Sequence, residues 1–324
     1  MRALSGIKPT GELHLGNYFG AMKQHLELQY ECEGFYFIAN YHSMTSVKDA
    51  EFLRQLTRNV AVDYLAMGLD PGRVNLFRQS DVPEVTELTW ILACVTGKGL
   101  LDRATTYKDY QAKGLTPNMG VYCYPLLMAA DILIYRSDIV PVGKDQLQHI
   151  EFTQDMATYF NETYRPVFKR PEPRLNESPV VPGIDGQKMS KSYGNHIELF
   201  GEAKAVRKKI MSIKTDSTPV EAPKEPGQCN VYALIKLLAT PEETAEWDRR
   251  YRAGGLGYGA AKKRLAELYE ERFGSGREAR TQWAARPEEV EDILRAGGRK
   301  ARAVAQELMA EVRDACGIVR AADE

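Results

Sequence analysis

The sequence predicts an α/β fold, a doubly wound parallel sheet with a helical insertion, followed by an α-helical C-terminal part. Three observations carry this. Short apolar runs with strand character alternate with stretches of helical period in the first half of the chain. A third run, Asp138-Ile139-Val140-Pro141-Val142, leads straight into a glycine at Gly143. Beyond residue 192 the apolar runs give way to helical patterns alone.

Each element has its own signal. The pair Ala3-Leu4 opens a strand, and Gly6, Gly11 and Gly16 punctuate the turn after it. Helical spacing runs from Tyr18 to Leu28. Residues 34–39 and 74–77 read as buried strands; between them Leu53, Leu56, Val60 and Tyr64 share one helix face. A helical insertion is expected at about 82–136, containing helices over 84–95 and 123–135. Residues 218–228 are rich in proline, lysine and glutamate and read as a loop. Helices are then expected over 231–238, 242–251, 259–273 and 287–316. The glycines at 255, 257 and 259 nearly spell a dinucleotide fingerprint, but no apolar strand precedes them, so they connect helices. The expected domains are residues 1–192, with a mobile loop at 182–192, and 193–324, with the last helix packing back on the first domain.

Bulk properties set limits. At 324 residues, with 44% hydrophobic and 27% charged content, the chain suits two soluble domains. No leader pattern opens it, and no apolar stretch reaches the roughly 18–20 residues that span a bilayer. Cys32, Cys94, Cys123, Cys229 and Cys316 are scattered without a Cys-x-x-Cys pair. That argues against a zinc ribbon or disulfide framework and for a reducing, cytoplasmic setting. With a net charge of −1, any nucleic acid must meet local rather than global positive charge.

Two stretches carry chemistry. Lys188-Met189-Ser190-Lys191-Ser192 follows Pro182-Gly183-Ile184-Asp185-Gly186. Two ammonium groups three residues apart, with hydroxyls between them, suit a mobile loop that clamps a polyphosphate. By itself the string reads equally well as a solvated turn. Near the N-terminus, residues 5–18 form a glycine-rich turn between strand and helix, where backbone donors meet phosphate. The turn has neither the Walker spacing nor the dinucleotide glycine triplet.

Together these stretches are specific. His14-Leu15-Gly16-Asn17 resembles the first signature of class I aminoacyl-tRNA synthetases, and Lys188 to Ser192 matches their second letter for letter. Three further runs bring the resemblance to the tryptophanyl-tRNA synthetase family: Gly16-Asn17-Tyr18-Phe19-Gly20-Ala21, Tyr124-Pro125-Leu126-Leu127-Met128-Ala129-Ala130-Asp131-Ile132-Leu133, and Val140-Pro141-Val142-Gly143-Lys144-Asp145-Gln146-Leu147-Gln148-His149. The likeness covers essentially the whole chain, Thr215-Asp216-Ser217 included.

The resemblance implies a Rossmann-like catalytic domain that activates L-tryptophan with ATP and transfers it to the 3′ end of tRNA(Trp). It implies His14, Asn17, Lys188 and Lys191 as the catalytic set. ATP contacts are implied at Lys8, Pro9, Thr10, Gly16, Lys108, Gly143, Lys144, Asp145, Val181, Met189, Ser190 and Ser192. Magnesium would bridge the phosphates, without a dedicated carboxylate cage. The helical C-terminal part is implied to bind the anticodon, and the active form to be a homodimer. Basic residues on offer there are Arg207, Lys208, Lys209, Lys262, Lys263 and Arg264.

Asp131 is the residue for substrate choice. It sits in an otherwise apolar stretch, where an unpaired carboxylate is expensive. A helix cap or a basic neighbour is the structural alternative. An indole offers one N–H on a large apolar body, so a carboxylate in an apolar pocket recognises it. Met128, Val140 and Val142 are candidate walls, with Leu4 and Gly6 beneath. Gln146 and Tyr124 are candidates for the substrate's ammonium and carboxylate, and His42 for closing the pocket. Lys8, Lys144 and Tyr110 depart from the commoner bacterial pattern, in which glutamine, glutamate and lysine stand there. Lys8 is expected to supply phosphate-side charge that Tyr110 cannot.

The competing readings are a tyrosine-specific relative, a nucleotidyltransferase of the same superfamily and a non-catalytic RNA-binding paralogue. Intact Lys188, Lys191, His14 and Asn17 argue against the last, and Asp131 with the long helical tail against the second. The run after the third strand argues against the tyrosine-specific reading.

Overall fold

The computed structural model describes the chain except Thr10, Lys113, Leu115, residues 176–179 and residues 319–324. Five strands form one sheet: β1 (Arg2–Ile7), β2 (Glu33–Ile38), β3 (Val74–Arg78), β4 (Ile139–Val142) and β5 (Glu172–Leu175). Their order is β3-β2-β1-β4-β5, and every pair is parallel. Parallel neighbours need crossovers, which the helices supply, and β2, β3 and β4 read as mostly apolar runs. The strand β5 is an addition to the expected set; its sequence, Glu-Pro-Arg-Leu, has no apolar run to betray it.

Fourteen α-helices accompany the sheet among the described residues. They are α1 (Leu15–Asn17), α2 (Lys23–Leu28), α3 (Asn40–Ser43), α4 (Ala50–Ala66), α5 (Glu84–Val95), α6 (Lys98–Asp102), α7 (Thr105–Ala112), α8 (Met119–Ile134), α9 (Leu147–Thr163), α10 (Ala203–Met211), α11 (Asn230–Leu238), α12 (Pro241–Ala253), α13 (Tyr258–Ala284) and α14 (Pro287–Cys316). The expected insertion is α5 to α8. The expected single helix from Tyr18 to Leu28 is instead a π-helical turn over Tyr18–Met22 followed by α2. The helix expected to end at Phe273 runs on to Ala284. The glycine run at 255–259 does join α12 to α13.

Capping explains several starts. Asp49 accepts the Phe52 N–H at 2.6 Å ahead of α4, and Asn118 accepts the Val121 N–H at 3.0 Å ahead of α8. Pro287 opens α14, Glu288 and Glu289 follow in its first turn, and Gly317 closes it with φ of 72°.

The chain divides into two compact units that are discontinuous in sequence, unlike the linear division expected at residue 192. The first holds residues 1–11, 24–176 and 286–324, and so the whole sheet, the insertion and α14. Its core gathers Leu4, Phe35, Phe77, Leu88, Leu126, Ile132 and Met156 with Ala305 and Leu308 of α14. The edge strand β3 is covered by α14, and Gly297 lets the two backbones touch: a Cβ there would lie 2.1 Å from the Leu76 carbonyl oxygen. Arg78 holds the same contact with paired bonds of 2.8 and 2.9 Å to Glu291.

The second unit holds residues 12–23 and 177–285. There α13 packs on α10 and α11. It also holds the residue after the first signature and the segment beyond the second. Tyr269 Oη donates to the Glu198 and Leu199 carbonyls at 2.8 and 2.9 Å, and Arg272 donates to Tyr18 Oη at 2.6 Å.

Candidate active site

In the first unit, β1 and β4 are neighbours whose chain continuations leave in opposite directions across the sheet, which places a crevice at their carboxyl ends. Lys8 and Pro9 follow β1, α3 follows β2, Gln79 follows β3, and Gly143 to Gln146 follow β4. Gly6 is exposed near the carboxyl end of β1, and the Phe37 ring of the neighbouring strand takes the space its Cβ would fill, at 2.6–2.9 Å. Leu4 and Val140 are buried in the core, Val142 lies at its margin, and Met128 packs half-buried against it.

Asp131 projects from α8 and is 2% exposed. Its carboxylate is neither a helix cap nor paired with a lysine or arginine. His42 Nε2 lies 2.9 Å from Oδ2, and the Gln79 amide nitrogen donates to both oxygens at 2.9 Å. Burial raises the Asp131 pKa, and the bonds from His42 and Gln79 oppose that rise. Gln79 escaped the sequence analysis, as it stands in an unremarkable Arg78-Gln79-Ser80 run with no motif around it.

Tyr124 Oη pairs with His149 Nε2, and Tyr124 stands seven residues, about two turns, ahead of Asp131 on α8. Burial lowers the His149 pKa, so its ring is neutral near pH 7. Gln146 bonds to its neighbour Asp145 at 3.2 Å. At Gly143 a Cβ would stand 2.6 Å from Asp145 Oδ1, the end of an exposed side chain, so the glycine gives that carboxylate room to lie over the turn. Lys144 and Asp145 are exposed, as is Lys108 on α7, where Tyr110 is half-buried. Lys8 donates to Thr45 Oγ1 at 2.9 Å, and desolvation lowers its pKa. Pro9 is buried and its carbonyl accepts from Ser43 Oγ. Thr10 lies outside the described residues.

In the second unit the two signatures meet. His14 starts α1 with its backbone N–H held by Asn17 Oδ1 at 3.0 Å. An antiparallel bridge joins His14 to Glu198, and Leu15 N–H bonds to the Ile197 carbonyl, beyond the lysine loop. His14 is 7% exposed and its pKa falls to about 4, first through burial and then through the charges of Lys191 and His196. At neutral pH His14 therefore offers a single N–H and no charge. Gly16 keeps the His14 ring in place, since a Cβ would lie 2.8 Å from it, with the Met189 Cβ 3.5 Å away.

The lysine loop is more firmly built at its base than its glycines suggest. Met189 is buried, its N–H bonded to the Val181 carbonyl at 2.9 Å, and Val181 is buried with it. Gly183 is not a hinge by default: a Cβ there would collide with the Asn195 amide at 2.4 Å. Of the two glycines ahead of Lys188, Gly186 takes the left-handed conformation, with φ of 89°. Lys188 and Ser192 are exposed, Lys191 and Ser190 half-buried. Asn195, 2% exposed, accepts the Ser190 N–H and donates to Asp185 and the Lys188 carbonyl. It too carried no signal in the sequence, being one of several polar residues after the motif.

A parallel sheet with polar groups at its carboxyl ends, and a lysine loop whose Met189 lies against a His-x-Gly-Asn turn, define a class I synthetase. Residues 1–274 match the family model of class I tRNA synthetases (W and Y), and the chain belongs to that family. It is 50% identical over 319 residues to the tryptophan–tRNA ligase of Rhodopirellula baltica, covering 98% of this chain and 100% of that one. It is 50% identical over 320 residues to that of Fusobacterium nucleatum, covering 98% of each. The structure of tryptophanyl-tRNA synthetase from Campylobacter jejuni complexed with ADP and tryptophan superposes with a TM-score of 0.90 at 46% identity, covering 98% of this chain and 100% of that one.

Proposed function

We propose that this synthetase acts as a tryptophan–tRNA ligase. The tryptophan carboxylate attacks the α-phosphorus of ATP, pyrophosphate leaves, and the adenylate's tryptophanyl group passes to the 3′-terminal adenosine of tRNA(Trp). The observation that carries the specificity is the buried Asp131 carboxylate, oriented by two donors in an apolar surround. A carboxylate has about four acceptor positions, and these donors occupy three, which leaves one for an indole N–H. Near-full-length relatives with this activity support the same reading.

Lys188 and Lys191 serve the β- and γ-phosphates and the charge of the departing pyrophosphate. His14, neutral, donates one hydrogen bond beside them, and Asn17 Nδ2 adds another. Gly143, Lys144 and Asp145 take the ribose, Val181 the adenine, and Lys8 the phosphate side. Tyr124 and Gln146 hold the tryptophan's polar groups, with Gly6 as the open floor. Magnesium would arrive on the phosphates and be held through them. The helices after the lysine loop bind the tRNA and the enzyme works as a homodimer in the cytoplasm, as the family resemblance supports. No described helix is long and apolar enough to cross a membrane.

The test is pyrophosphate–ATP exchange with tryptophan, tyrosine and phenylalanine in parallel, followed by charging of tRNA. Exchange with tryptophan alone is the expected result; exchange with tyrosine instead would overturn the specificity.

A further inference from the structure

We infer that Gln79 is a positioning residue for tryptophan selection, acting through Asp131 and resting on the tryptophan-activating function proposed above. Gln79 stands at the carboxyl end of β3, is 1% exposed, and lies 52 residues from Asp131 in sequence.

The orientation of its amide is fixed by its surroundings. On one side Oε1 accepts the backbone N–H of Tyr41 at 3.0 Å and of His42 at 3.4 Å. Those N–H groups belong to the first turn of α3, where no intrahelical acceptor exists. Only an oxygen satisfies them, so the nitrogen must face Asp131, where it donates to both carboxylate oxygens at 2.9 Å. A reversed amide would set oxygen against carboxylate and N–H against N–H.

One side chain thus joins two supports of the specificity group. It fixes the plane of the Asp131 carboxylate through a two-point contact, and it fixes the short helix that carries His42, the carboxylate's second donor. A carboxylate held by two donors on different elements cannot rotate, so its remaining acceptor position points in one direction. Selection of an indole N–H depends on that direction, because a polar group that must meet its partner in a buried site discriminates strongly only when it is aimed.

Two substitutions separate this role from simple support of α3. Gln79→Met keeps the length and removes all polar contacts. Gln79→Glu keeps an acceptor for the Tyr41 and His42 N–H groups but replaces the donor facing Asp131 by a second acceptor. Pyrophosphate–ATP exchange on the intact chain gives KM for tryptophan and for ATP, and the preference for tryptophan over its sulfur analogue, 3-benzothienylalanine, which lacks the N–H. The expected result is a rise of at least tenfold in KM for tryptophan in both variants, KM for ATP within twofold of the parent, and a preference for the N–H reduced at least tenfold. A Gln79→Glu variant with the parent's tryptophan KM and preference would overturn the inference, leaving Gln79 a support of α3. Equal losses for tryptophan and ATP in both variants would also overturn it. Parent enzyme without tryptophan-dependent exchange would overturn the function itself, an outcome visible before any variant is made.

Discussion

The Asn195 side chain reaches back ten residues to Asp185, its amide nitrogen 2.8 Å from Oδ1, and so closes the base of the lysine loop. The same amide accepts the Ser190 N–H at 2.8 Å and donates to the Lys188 carbonyl at 3.2 Å. The Asn195 bond, with the Gln187 N–H beside it, holds Asp185 below its usual carboxylate range. Both lysines of the signature thus spring from a fixed base.

Replacing Asn195 by alanine leaves the Ser190 N–H and the Lys188 carbonyl without this partner. The expected cost is about 1–3 kcal/mol, visible as a lower Tm and a raised KM for ATP in exchange assays. An unchanged KM for ATP would show that the loop base does not set phosphate contacts.

Lys191→Met removes a charge and keeps the length of the side chain. If the lysine stabilises charge that develops in the transition state, kcat falls by about 10²–10³ while KM for tryptophan stays within a few-fold. A loss expressed in tryptophan KM alone would place Lys191 outside phosphate chemistry.

Asp131→Ala removes the acceptor and leaves His42 and Gln79 facing an apolar gap. A hydrogen bond to a charged group contributes about 1.5–3 kcal/mol, so kcat/KM for tryptophan falls roughly 10- to 150-fold. Equal activity on tryptophan and 3-benzothienylalanine is expected in this variant.

Stability should depend on pH through buried imidazoles. His25 is enclosed between Tyr36 and Tyr64, with Nδ1 2.6 Å from the Tyr64 hydroxyl, and burial takes its pKa to about 4, as it does for His14. Between pH 4 and 6.5 the unfolded chain binds protons at these sites that the folded chain refuses. Stability therefore rises with pH across that window, is complete above it, and is lost as pH falls toward 4. The two sites together contribute on the order of several kcal/mol. Urea unfolding from pH 4 to 8 measures the slope, and His25→Phe should flatten it; an unaltered slope would assign the dependence to other groups.

Gly297→Ala forces a Cβ against the Leu76 carbonyl, a backbone atom of the sheet edge that cannot swing aside. Overpacking of this kind costs about 1–3 kcal/mol. Thermal unfolding should show a Tm several degrees lower, with activity retained per folded molecule.

The sequence by itself determined the covalently local features. The two signatures, the alternating elements, the helical insertion and the long C-terminal helices follow from side-chain type, period and capping, which act over a few residues. It also singled out Asp131, because a charge in an apolar helix is anomalous wherever that helix packs. Tertiary structure alone decided who meets that charge. Gln79 and His42 reach it from the ends of two other strands, and neither has a local pattern that announces a partner 52 or 89 residues away. The same holds for β5, an edge strand with one hydrogen-bonded neighbour and no apolar run, and for the return of α14 onto β3, which turns on glycine at 297. Local propensity is written along the chain, whereas pairings across it are fixed by which buried polar groups and surfaces satisfy one another once the core has formed.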